Sequence, residues 1–295
     1  MASKTHHFFA DTIKPQGLKA KSIMFLTSGF ANLTYQSSGH FALKFLFKPY
    51  SRRDYVFKTQ KPVSKLYFVK TLKGQVALNY FEGQGDKHIF LSHGWADTSV
   101  RFTQLIDELL NQGFHIWSID QVGHGKSSHD SSNLFDFIDG VKNCIEFIEN
   151  KGHQIEALIG HSMGSLAVLN QSSSLLENKK VVMVAAPTKF FENLFVNTKK
   201  MGFSNKMLLS ALEHVSKFYQ KSWEELSPIK HTYKINSHFL MVHDKEDPTC
   251  SYENFKELVK GIEHEFLSTS GLGHLKILKD KGVLSKISSF ITDKA

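Results

Sequence analysis

From about residue 66 to the C-terminus, short apolar runs of strand length alternate with longer runs whose apolar residues recur at helical spacing. No other feature constrains the fold as much. A strand that reaches the next strand through one helix needs a crossover, and repeated crossovers make a mostly parallel sheet flanked by helices. "KLYFVKT" and "QVALNYFE" read as an opening hairpin, and "HIFLS", "FHIWSID", "IEALIG", "KVVMVAA", "SHFLMVHD" and "HEFLST" as the strands that follow. Between them, Val100, Phe102, Leu105, Ile106, Leu109 and Leu110 make one helical stripe, ended by Gly113, and Phe137, Ile138, Val141, Cys144, Ile145 and Ile148 make another. "SMGSLAVLNQSSSLLE" reads as a single helix, as does the run around Phe255, Leu258, Val259 and Ile262. A last helix carries Val283, Leu284, Ile287, Phe290 and Ile291. In such sheets reactive groups gather at the carboxyl ends of the strands.

The rhythm breaks once. Residues 187–235 form a helical insertion rich in large apolar groups, among them Phe191, Phe195 and Trp223. It reads either as a lid over an apolar pocket or as helices that bury a face among themselves. Upstream of the alternating region, residues 1–65 form a basic extension, polar to about residue 21 and helical over roughly 22–48, with a stop near Pro49. The formal charge of +8 comes from this end: residues 1–73 carry +11 and the remainder −3. A basic arm suits weak contact with an anionic membrane surface, or is simply solvated; no nucleic-acid motif accompanies it. The two cysteines, Cys144 and Cys250, imply neither a disulfide framework nor a metal motif, which fits a reducing, cytoplasmic setting. No apolar run approaches the ~18 residues of a spanning helix, and "SIMFLTSGF" is too diluted to read as a signal peptide.

One stretch carries candidate chemistry. In "EALIGHSMGSLAVL" a buried run ends at Gly160, and Ser162 stands two residues from Gly160 and from Gly164 before a helical pattern begins. A sharp strand-to-helix turn holds such a serine in a strained conformation, needs small neighbours, and places the hydroxyl at a helix N-terminus. The plain alternative is a turn that contains a serine. A serine nucleophile needs a base, and the base needs an orienting acid. For this geometry the expected order is Ser, acid, His, each after its own strand. "SHFLMVHDKEDP" supplies Asp244, Glu246 and Asp247. Asp247 is preferred as the acid because Asp-Pro breaks the chain into the next loop, with Asp244 as a turn residue. "HEFLSTSGLGHLKIL" supplies His274 as the base. His264 begins that strand on the wrong edge of the sheet, and His243 sits too close to the end of the acid's strand. An oxyanion hole needs two backbone N–H donors: the residue after the nucleophile, Met163, and Trp95 in "FLSHGWADTS", where His93 and Gly94 allow the turn. In "IDQVGHGKSS", Asp120, Gly123 and Gly125 shape a loop; its spacing is not that of a phosphate loop.

In this order and spacing, "HGW", "DQVGHGKSS", "GHSMGS", "HDKEDP" and "GLGHLKIL" resemble the α/β-hydrolase superfamily over about residues 66–295. With "LFKPYSRR" added, the chain is similar to a group of poorly characterised bacterial members. The resemblance implies an α/β-hydrolase fold with Ser162 as nucleophile, Asp247 as acid, His274 as base and the Trp95 and Met163 amides as oxyanion donors, with no cofactor and no metal. Asp244 departs from the pattern, standing where many members have Gly. The implied reaction is cleavage of a small-molecule acyl ester with a small to medium apolar acyl group. Thioester cleavage and acyl transfer with the same triad remain open, as does a ligand-binding protein on the same scaffold.

Overall fold

The computed structural model describes residues 14–15, 17–49, 54–236 and 238–293. Most of the polar start of the chain (residues 1–13 and Gln16), the "YSRR" of the N-terminal resemblance and Ser237 lie outside these residues. In chain order the elements are α1 (Gly17–Leu33), α2 (Tyr35–Leu46), β1 (Lys65–Lys70), β2 (Gln75–Phe81), β3 (His88–Ser92), α3 (Thr103–Asn111), β4 (His115–Asp120), α4 (Leu134–Glu149), β5 (Ile155–His161), α5 (Met163–Leu169), α6 (Ser173–Leu176) and β6 (Lys180–Val184). There follow α7 (Phe190–Lys200), α8 (Asn205–Tyr219), β7 (Phe239–Asp244), α9 (Tyr252–Leu258), β8 (Glu265–Thr269), α10 (Gly273–Lys276) and α11 (Lys281–Thr292).

The chain divides into two compact units. The larger spans Pro49–Thr188 and His231–Ala295. It holds one eight-stranded sheet in the order β1-β2-β4-β3-β5-β6-β7-β8. β2 runs antiparallel to β1 and β4, and every other neighbouring pair is parallel. Side chains of a strand alternate between faces. Ile89 and Leu91, Ala157 and Ile159, Val182 and Val184, and Leu240 and Val242 therefore share one face, where they meet Leu105 and Leu109 of α3 and Ile287 and Phe290 of α11 in a continuous core. The interior strands β3 and β7 are buried along their whole length, which accounts for their nearly unbroken apolar sequences. The chain preceding β1 belongs to this unit: Tyr55 Oη donates to Asp120 Oδ2 at 2.5 Å, and the Phe57 ring meets Phe81 edge-on at 5.0 Å.

The smaller unit combines residues up to Lys48 with Lys189–Lys230. Within it, the Ser210 hydroxyl on α8 donates to the Tyr35 carbonyl at 2.8 Å, and Tyr35 Oη donates to Glu213 at 2.8 Å. The N–H of Ser204 donates to Thr27 Oγ1 of α1 at 3.1 Å.

Three helices differ from the sequence reading. The helix expected over roughly 22–48 begins at Gly17 and breaks at Thr34 into α1 and α2. The single helix expected after Ser162 is α5 followed by α6. The Asn170 amide turns back to the Leu166 carbonyl, and the Ser172 hydroxyl accepts from the Leu175 N–H and starts a new helix; short polar side chains compete for backbone groups in this way. α9 ends at Leu258, so Val259 and Ile262 follow the helix instead of lying on it.

Candidate active site

The site lies at the carboxyl ends of the parallel strands of the larger unit. β5 delivers Ser162 at φ 51° and ψ −124°, a conformation that L-residues rarely adopt. Its N–H is tied to the Val184 carbonyl of β6 at 2.8 Å, so the strained residue is anchored from the sheet. A β-carbon at Gly164 would stand 2.1 Å from the Ser92 carbonyl oxygen, so only glycine lets α5 start this close to β3. Ser162 is therefore held on a sharp elbow, with α5 beginning at Met163. That is more than a turn that contains a serine.

The loop after β3 passes directly beside it. A β-carbon added to Gly94 would lie 2.7 Å from Ser162 Cβ and 3.3 Å from its Oγ. Two buried histidines fix this loop. His93 Nε2 accepts the Gln121 N–H at 3.0 Å, so its proton sits on Nδ1, which donates to the Gly94 carbonyl at 2.7 Å. By the same logic, His124 Nε2 accepts the Ala96 N–H at 3.1 Å, and its Nδ1 donates to the Val122 carbonyl at 2.9 Å. Burial holds both imidazoles neutral, His124 at a pKa of about 3. The Ala96 amide is thus engaged by His124, which leaves Trp95 as the oxyanion candidate of this loop. The Trp95 ring stands edge-on to His124 at 5.3 Å.

The turn after β7 carries Asp247, the candidate acid. Asp247 Oδ1 accepts the N–H groups of Thr249 and Cys250 at 2.7 and 2.9 Å, and Oδ2 accepts from His274 Nδ1 at 2.7 Å. Burial pushes this carboxyl up, but the bonds from His274, Cys250 and Thr249 outweigh it and hold the group below the usual carboxylate range. His274 lies in α10 and keeps Nε2 for a second partner. Asp244 does other work. Its Oδ2 accepts from Thr269 Oγ1 at 2.7 Å and from the Leu272 N–H at 3.1 Å, and its Oδ1 from the Glu246 N–H at 2.9 Å. It fixes the loop that leads to His274, as a turn residue should.

His161, beside Ser162, donates from Nε2 to the His274 carbonyl at 2.9 Å, while its buried Nδ1 has no partner among the described residues. Burial and the neighbouring His274 lower its pKa to about 3. His243 is buried and donates to the Cys250 carbonyl at 2.8 Å, standing 3.9 Å from Asp247; it is no rival base. Asp120 accepts from Ser99 and Lys126 as well as Tyr55, all in the service of its loop. Ligand atoms of Asp247, Cys250 and His274 lie within 4.8 Å of one another. They make a poor metal site, because burial keeps the Cys250 thiol protonated and both Asp247 oxygens already accept hydrogen bonds. The bracing roles of His93, His124 and His161 are not visible in sequence; the available signal was a histidine next to a glycine directly after a buried strand.

The family described as serine aminopeptidase, S33 matches residues 83–228. A monoglyceride lipase homolog of Monkeypox virus is 28% identical over 81 residues, 26% of this chain and 29% of that protein. A probable serine hydrolase of Drosophila melanogaster is 31% identical over 120 residues, 39% of this chain and 36% of that protein. The chain thus spans about a third of the length of these curated relatives. Among solved structures, an esterase of Pyrococcus furiosus superposes with a TM-score of 0.64 at 16% identity, over 83% of this chain and 96% of that one.

Proposed function

On the premise that the chain belongs to the α/β-hydrolase superfamily, we propose that it cleaves a carboxylic ester of a small to medium apolar acyl group through an acyl-enzyme on Ser162. The observation that carries the reading is the 2.7 Å bond from His274 Nδ1 to Asp247, present together with a strained serine at the β5–α5 elbow. Asp247 fixes the tautomer, so His274 Nε2 is the basic nitrogen. Nε2 takes the Ser162 proton as Oγ bonds to the acyl carbon and the carbonyl electrons move onto oxygen. The amides of Trp95 and Met163 stabilise that oxyanion. Its collapse expels the alcohol, which takes the proton from His274. Water, deprotonated by His274, then attacks the acyl-enzyme, and Ser162 recovers its proton as the acid leaves.

The names of the Pyrococcus esterase and the viral lipase homolog favour an ester. The aminopeptidase name of the matching family keeps amide cleavage as the second reading. Thioester cleavage or transfer to an alcohol acceptor would use the same residues. The test is hydrolysis of nitrophenyl esters of increasing acyl length beside aminoacyl nitroanilides and acyl thioesters, with Ser162→Ala as control. Ester turnover that drops roughly a thousandfold or more in the variant is expected. Ester turnover unchanged by Ser162→Ala would defeat the mechanism. A folded protein that turns over none of these substrates and leaves Ser162 unlabelled by a fluorophosphonate would point to a ligand-binding role.

A further inference from the structure

Helix α1 is apolar on two opposite sides. Ala20, Thr27 and Ala31 are buried within the smaller unit. At 3.6 residues per turn, Leu18, Phe25, Leu26 and Leu33 fall on the opposite side, where they are 84, 79, 68 and 85% exposed. An aromatic ladder continues the stripe onto α2: Phe30 meets Phe41 edge-on at 5.9 Å, and Phe41 meets Phe45 at 4.4 Å, with all three rings exposed. A patch of this size and continuity is unusual on a monomer surface and marks an interaction site.

Charge decides what the site is for. On the same helical projection, Lys19 and Lys21 border the stripe on either side, and both are exposed, as are Lys44 of α2 and Lys48 just beyond it. No acidic residue occurs between Asp11 and Asp54. An apolar stripe with lysines along its margins matches a surface that is apolar beneath an anionic layer: the rings reach the acyl boundary while the ammonium groups remain among the headgroups. A second copy of the chain fits less well, because a twofold contact would set these lysines against one another with no acidic partner. The helix is also not long and apolar enough to cross a bilayer.

We infer that α1 and the start of the aromatic ladder dock in the plane of a bilayer surface containing anionic lipid. The full-length protein sediments with phosphatidylcholine vesicles containing phosphatidylglycerol at low salt, and far less with pure phosphatidylcholine. Lys19→Gln and Lys21→Gln each lower the partition about fivefold. Phe25→Ser combined with Leu26→Ser lowers it roughly tenfold or more. Both side chains are exposed, so the double variant keeps the parent melting temperature. The inference is overturned if the anionic vesicles do not retain the parent protein, or if the double variant is retained as well as the parent. It is equally overturned if sedimentation equilibrium finds a parent dimer that the double variant converts to monomer, since the stripe would then serve self-association.

Discussion

His161 Nε2 donates a hydrogen bond to the backbone carbonyl of His274 at 2.9 Å, with the two rings 4.9 Å apart. The bond ties the residue before the elbow serine to His274, the proposed base. His161→Phe keeps a ring in place and removes the bond. We expect kcat on a soluble ester to fall about tenfold with KM nearly unchanged, because a small displacement of a positioned base lowers the rate without weakening substrate binding. Steady-state kinetics decide it; an unchanged kcat would leave His161 a purely structural residue.

Acid should weaken the fold through the buried histidines. His124 and His161 have pKa values lowered from 6.5 to about 3, so they stay neutral in the native state. Between pH 7 and pH 5 the unfolded chain gains protons at these sites and the native chain does not. Their contribution to stability is therefore complete above the unfolded value and is lost as pH falls below it. The loss is about 2 kcal/mol per residue over that interval. Urea unfolding of His161→Phe at the two pH values should show a drop smaller than the parent's by about that amount. An identical drop would mean that His161 titrates alike in both states.

Asp244 and Asp247 should separate cleanly. Asp247→Asn removes the acceptor that fixes the His274 tautomer, and kcat is expected to fall by roughly a factor of 10^4 with little change in melting temperature. Asp244→Asn disturbs the bonds to Thr269 and Leu272 and costs about 1–3 kcal/mol of stability, with a smaller effect on kcat. The reverse pattern would assign the acid to Asp244.

Gly94→Ala tests the loop beside the serine. The added carbon would stand 2.7 Å from Ser162 Cβ, so either the loop or the elbow must shift. We expect kcat to fall about a hundredfold, the scale of a lost oxyanion donor, while circular dichroism stays that of the parent. Full activity would mean that the loop can move without displacing its donor.

The strands and the order of the candidate site were legible because both are local: each run is short, and Ser162, Asp247 and His274 each follow their own strand. The breaks at Thr34 and at Asn170–Ser172 were not legible, since apolar residues resume at helical spacing on the far side and a period count passes over them. The clasp of the loop after β3 was hidden for a different reason. The bonds from Gln121 to His93 and from Ala96 to His124 join loops after different strands, and nothing near either histidine announces its partner. The pairing of α2 with α8 is hidden in the same way, since the hydroxyl of Ser210 and the carbonyl of Tyr35 belong to distant parts of the chain.

Because residues up to Lys48 share a compact unit with Lys189–Lys230, the order of synthesis has a consequence. α1 and α2 leave the ribosome before their packing partners on α8 and in the Gly202–Ser204 turn, which follow only after residues 49–188 have been made. At ordinary elongation rates that interval lasts roughly ten to thirty seconds. Throughout it the nascent chain displays the inner faces of α1 and α2 as well as the outer stripe of Phe25 and Leu26. Early fragments of this protein should therefore be clients of holdase chaperones until α8 arrives.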